Sequence, residues 1–60
     1  MSTVYNPESE TIAQIERLEL EARQVRRRIE RSHNEEDRRA LNRQLTDVQR
    51  HIDVLRSRLP

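Results

Sequence analysis

Apolar residues recur along this chain at intervals of three and four residues, the spacing that places them on one side of an α-helix. One run extends from Ile15 to Ile29, and a second extends from Leu41 to Leu59. The alternation matches the a and d positions of a heptad repeat, which is typical of coiled coils. These positions, called the seam below, are Ile15, Leu18, Ala22, Val25, Ile29, Leu41, Leu45, Val48, Ile52, Leu55 and Leu59. The pattern predicts two amphipathic helices.

The charged stretch between Ile29 and Leu41 separates two heptad frames that disagree by two residues. On a helix of 3.6 residues per turn, two residues correspond to a rotation of about 200°, so one continuous helix would carry the two runs on opposite sides. A chain reversal centred on residue 35 instead pairs each a residue with a d residue, as in Leu18 with Ile52. We therefore predict an all-α fold, an antiparallel and coiled-coil-like hairpin of two helices.

Local signals set the expected bounds of the hairpin. Asn6 is a good residue to cap a helix, and Pro7 suits the first helical position. The chain is therefore divided into a flexible N-terminal tail (residues 1–6) and one helical hairpin domain (residues 7–60), which consists of a helix (residues 7–32), a turn (residues 33–35) and a second helix (residues 36–59).

The predicted turn contains no glycine and must rely on polar residues. His33 or Asn34 is expected to take the left-handed conformation that often ends a helix. Ser32 or Asn34 is expected to cap the second helix, with an acidic residue three positions further on. The interruption of the apolar pattern is thus interpreted as a turn with its own capping residues.

Length and composition limit what such a hairpin can be. The chain has 60 residues, of which 32% are hydrophobic and 38% charged, with no glycine and no cysteine. A chain this short buries a modest core, and without cysteine it has no disulfide to stabilise it. A lone hairpin is expected to shield only one side of its seam. A homodimer that forms a four-helix bundle is therefore predicted.

That plan, a short helical hairpin dimerising into a four-helix bundle, resembles the plasmid copy-number repressors of the Rop type. Those proteins bind paired RNA loops. The resemblance is one of architecture and rests on no shared motif, so no residue role is carried over from it.

Residues for catalysis or for binding a cofactor are not evident in the sequence. There is no glycine-rich phosphate loop, and a narrow seam of Leu, Ile and Val offers no polar pocket. His33 falls in the predicted turn and His51 beside the seam in the middle of the second helix, so a shared metal is not expected. We predict no enzymatic activity, no cofactor, no metal and no small-molecule substrate.

The sharpest local feature is a concentration of arginine around the turn. From Arg23 to Arg43, eight arginines face four acids, a local charge of +4 against +1 for the whole chain. Clustered arginines are typical of surfaces that bind phosphates. The candidate phosphate-binding residues are Arg26, Arg27, Arg31, Arg39 and Arg43.

The alternative interpretation of these arginines is a solvated helix surface with ion pairs. Glu19 with Arg23 and Glu35 with Arg39 stand four residues apart in the favourable order, and Asp53 with Arg56 stands three apart. Because one aromatic residue occurs in the whole chain, stacking on single-stranded bases is not expected.

Two functions of different class follow from these features. The favoured one is a small protein-interaction and oligomerisation module that acts through its seam, as a homodimer or with another helical protein. The alternative is binding of structured RNA or a nucleic-acid duplex through the arginine-rich end of a dimeric four-helix bundle. Leu20 and Val54 are apolar but lie off the seam, as single exposed residues or as the edge of a second contact surface.

The expected location is the cytoplasm, without membrane association. The first ten residues lack the basic and apolar regions of a signal peptide, and no apolar run approaches the roughly 20 residues that span a bilayer.

Overall fold

The computed structural model describes residues 7–60, which form two helices, α1 (Pro7–Arg31) and α2 (Glu35–Ser57). Only residues 32–34 connect them, and the helices pack against each other along their length in antiparallel orientation. No strand occurs in this part of the chain. The predicted all-helical architecture of two packed helices is therefore confirmed.

The helix bounds differ slightly from those expected. The first helix ends one residue earlier than predicted, and the second begins one residue earlier and ends two residues earlier. Differences of this size are usual at helix ends, where the last turn frays or tightens. The predicted flexible tail and the proposed cap at Asn6 lie outside the described residues.

Charges at the two ends of α1 match the dipole of the helix. Glu8 and Glu10 lie in the first turn, and Arg28 and Arg31 lie in the last. Negative charge is favourable beside the free N–H groups at a helix start, and positive charge beside the free carbonyls at its end. Together with the absence of glycine, this favours a helix of 25 residues without interruption.

Asn34 caps the start of α2, which is one of the two alternatives predicted from the sequence. The Oδ1 atom of Asn34 accepts hydrogen bonds from the backbone N–H groups of Glu36 and Asp37, at 2.8 and 3.3 Å. These are two of the amide groups that a helix start leaves without a partner. Ser32 does not cap the helix, because its hydroxyl donates to the carbonyl of Asn34, at 3.1 Å.

The expected left-handed conformation of His33 or Asn34 is wrong. No residue in the range 7–60 has a positive φ, and Asn34 is extended, with φ −104° and ψ 125°. The end of α1 instead tightens through a bond from the Ser32 N–H to the Ile29 carbonyl, at 3.2 Å. A residue that caps the start of a helix needs an extended backbone. Asn34 therefore cannot cap α2 and also take the left-handed conformation.

The core is the seam itself. Its six buried residues are 2–7% exposed, and they are Ile15, Ala22, Val25, Val48, Ile52 and Leu55. The other five seam residues are half-buried, and they are Leu18, Ile29, Leu41, Leu45 and Leu59. All eleven side chains therefore lie at least partly between the two helices.

This burial corrects the expectation that a lone hairpin shields only one side of its seam. Long polar side chains flank the seam. Around Ala22 and Ile52, for example, the surrounding side chains are Glu19, Arg23, Arg26, Gln49, Asp53 and Arg56. The methylene groups of arginine and glutamate cover apolar surface while their charged ends stay in water.

The hairpin is one helix layer thick. Its principal dimensions, measured over Cα atoms, are 53 × 22 × 12 Å. Neither helix, among the residues described, is long and apolar enough to cross a membrane.

Leu55 and Val54 are neighbours in the chain and give a matched test of the seam. Leu55 is 2% exposed, whereas Val54 is 49% exposed. We expect Leu55→Ala to lower the free energy of unfolding by about 2–5 kcal/mol and Val54→Ala to change it by about 0.5 kcal/mol or less. Urea unfolding followed by circular dichroism measures both, and equal effects would contradict the assignment of the seam.

The cap at Asn34 is testable in the same way. Asn34→Ala removes the oxygen that accepts two backbone N–H groups, so we expect a loss of about 1 kcal/mol of stability. Asn34→Ser keeps an accepting oxygen and should retain most of that stability. A serine variant as unstable as the alanine variant would show that the cap contributes nothing.

Candidate interaction surfaces

One ion pair joins the two helices beside the seam. The Nη2 atom of Arg56 in α2 lies 3.4 Å from the Oε1 atom of Glu19 in α1. Helical side chains lean toward the N-terminus of their own helix, so in an antiparallel pair these two side chains lean toward each other. This contact agrees with the predicted pairing of Leu18 with Ile52. On the seam, Leu18 lies next to Glu19, and Ile52 lies one helical turn before Arg56.

The ion pairs predicted from sequence are confirmed in part. Glu35 and Arg39 pair at 3.3 Å within the first turns of α2. The predicted pairs of Glu19 with Arg23 and of Asp53 with Arg56 are wrong, since Glu19 and Arg56 pair with each other instead. The heptad pattern could have predicted this contact. Glu19 and Arg56 both occupy e positions, and antiparallel helices bring their e positions together.

A central groove runs over the middle of the seam on the side of this ion pair. Ala22 and Ile52 form its floor, and both are buried. Its walls are polar, with Glu19, Arg23 and Arg26 from α1 and Gln49, Asp53 and Arg56 from α2. The groove offers charges of both signs along an open surface.

The five candidate phosphate-binding arginines have different surroundings on the hairpin. Arg26 lines the central groove, Arg31 lines a hollow at the turn, and Arg39 lies beside Glu35, with which it pairs. Arg27 and Arg43 are exposed on the helix surfaces. Arg27 and Arg31 stand four residues apart, as do Arg39 and Arg43, so the members of each pair lie on the same side of their helix. Phosphate binding by this set stays a prediction.

A hollow of about 710 Å³ lies at the turn. Leu41 and Ala40 contribute its apolar part, and Arg28 and Arg31 approach it from the end of α1. Asp37 lies in the same hollow and offsets part of their positive charge. The hollow is open to solvent and is lined mainly by the loop and the adjoining helix ends.

Three large apolar side chains are exposed in the described part of the chain: Ile12, Leu20 and Val54. The sequence identified Leu20 and Val54 as lying off the seam, but it did not single out Ile12. Leu20 is the most exposed, at 54%, and lies in a shallow hollow of about 230 Å³ with Glu16, Glu19 and Arg23. Leu20 is thus an apolar side chain surrounded by charges of both signs.

Side chains that bind metals do not cluster in the described part of the chain. Within residues 7–60, no group of three or more His, Cys, Asp or Glu side chains is placed to hold a metal ion. His33 and His51 are both exposed, the first in the loop and the second in α2.

Comparisons with models of protein families, with curated proteins and with solved structures find no match for this chain. Its function must therefore be inferred from its own residues and their arrangement.

The ion pair between the helices generates a prediction. Both side chains are partly exposed, so a double-mutant cycle of Glu19→Gln and Arg56→Gln should give a coupling of about 0.2–1 kcal/mol. The coupling should decrease when salt is added, because screening weakens exposed pairs. The matched control is Glu19→Gln with Arg23→Gln, which should show a smaller coupling. A larger coupling in the control would contradict the contact between the helices.

Proposed function

We propose that this protein is a small protein-interaction and oligomerisation module that self-associates and has no catalytic activity. The observation that carries the proposal is that the whole core is a single row of side chains between two helices, in a hairpin only 12 Å thick. Most stable domains cover such a layer with further elements. In this hairpin the sides of the helices that face away from the seam are left free to contact a second copy of the chain.

The modest stability expected of the single hairpin supports the proposal. The chain has no cysteine, and five of its eleven seam residues are only half-buried. Chains of about this size usually gain stability from disulfides, metals or association. For this chain, self-association would supply such stability.

The way in which two hairpins meet is constrained by the burial of the seam. Six seam residues are already covered within one chain. Packing seam to seam in a four-helix bundle would require α1 and α2 to rotate about their axes, so that the seam residues face the second hairpin as well as each other. That arrangement stays a prediction, whereas association through the outside of the hairpin leaves the observed core intact.

Catalysis and small-molecule binding are not part of the proposal. The depressions found on residues 7–60 are open to solvent and have mixed charged and apolar linings. Catalytic sites hold their reacting groups in concave surroundings from which water is excluded. A flat, charged hairpin surface is better suited to contact with another protein surface.

Self-association is tested by mass. Sedimentation equilibrium from about micromolar to about millimolar concentration should show the mass rising from 7.3 kDa toward twice that value. Circular dichroism over the same range reports whether the helices form before or during association. A helical protein that remains at 7.3 kDa at every concentration would refute the proposal.

A further inference from the structure

The charge of α1 is divided sharply along its length. Residues 7–21 carry five acids and one arginine, a local charge of −4, and residues 22–31 carry five arginines and one acid, a local charge of +4. Helix α2 has no such division, since residues 35–46 and residues 47–57 are each neutral by the same count. The hairpin therefore has one strongly polarised helix and one balanced helix.

The dipole of α1 explains only part of this division. Its influence is confined to the first and last turns, where Glu8, Glu10, Arg28 and Arg31 lie. The acids from Glu16 onward and the arginines before Arg28 lie too far inside the helix to gain from it. Their segregation favours an external partner with the opposite order of charge.

The exposed leucine of α1 lies close to the boundary between the two charged segments. On the side of α1 away from the seam, a second row follows the same spacing of three and four residues: Ala13, Glu16, Leu20, Arg23 and Arg27. Leu20 is at its centre and is 54% exposed. Within residues 7–60, Glu16 and Arg23 form no ion pair with the rest of the chain.

We propose that two copies of the chain associate through this outer row of α1, with the two α1 helices antiparallel and Leu20 packed against Leu20 of the second copy. This inference rests on the proposed self-association and names the surface that it uses. A two-fold axis beside Leu20 places Glu16 of each copy opposite Arg23 of the other. The acidic segment of each α1 then lies along the basic segment of the other.

Charge complementarity also fixes the orientation of the two copies. In a parallel arrangement the two basic segments would lie side by side, and so would the two acidic segments. Like charges across an interface oppose association, whereas complementary charges give it orientation and specificity. The antiparallel arrangement puts the two turns, with their arginines, at opposite ends of the dimer.

The test exchanges charges at the proposed contact. Glu16→Arg and Arg23→Glu, made in separate chains, should each weaken self-association about tenfold, because each turns two symmetric attractions into repulsions. When the two variants are mixed, they should form a heterodimer at least as tight as the parent dimer. Isotope labelling of one variant identifies the heterodimer by native mass spectrometry.

Matched controls use the balanced helix. Asp47→Arg and Arg50→Glu make the same changes of net charge at exposed positions of α2, and each should leave the dissociation constant within about twofold of the parent. If Glu16→Arg and Arg23→Glu associate as the parent does, or if their mixture forms no heterodimer, the proposed surface is wrong while self-association stands. If the parent chain itself is monomeric, both proposals fail together.

Orientation is tested by disulfide formation, for which the chain is suited because it has no cysteine. Under mild oxidation Leu20→Cys should form a disulfide-linked dimer, since a disulfide needs Cα atoms within about 7 Å. Val54→Cys, of similar exposure but on α2, and His33→Cys, in the loop, should remain unlinked under the same conditions. Rapid linking of His33→Cys would place the two turns together and overturn the antiparallel arrangement.

Discussion

The contact between α1 and α2 along the seam is the constraint on which the rest of the structure depends. Ile15, Ala22, Val48, Ile52 and Leu55 form one continuous cluster, and no other part of residues 7–60 contributes a buried side chain apart from Val25. Because a helix turns by about 100° per residue, fixing the seam also fixes the direction of every other side chain. The polar grooves, the ion pair between the helices and the outer row of α1 all follow from this register.

The spacing of apolar residues was sufficient to predict the two helices and their packing. An unbroken alternation of three and four residues in each arm is the pattern of a helix with one apolar side, and the shift of frame between the arms requires a reversal. The cap at Asn34 was one of two predicted alternatives, because asparagine readily accepts from the free amides of a helix start. Short-range rules of this kind act within a few residues and can be read from the chain.

Features that depend on the packed pair were harder to predict. The partner of Glu19 was assigned within its own helix, although the antiparallel register brings Arg56 from α2 closer. The burial of the seam was underestimated because only the facing helix was considered, and the aliphatic parts of the flanking arginines and glutamates were not. The proposed phosphate-binding arginines were grouped by position in the sequence, and phosphate binding by them stays a prediction.

This chain has one apolar seam, which folds the hairpin and which in a four-helix bundle would also join two chains. In the observed hairpin it serves folding, as the burial of its central residues requires. The self-association proposed above would then rely on exposed charges and on isolated apolar side chains such as Leu20. Such contacts bury little apolar area and are screened by salt, so they favour a weak, reversible and orientation-specific complex over a permanent one. In the proposed dimer, the segregation of charge along α1, which the helix dipole explains only in part, would give such a weak contact a defined direction.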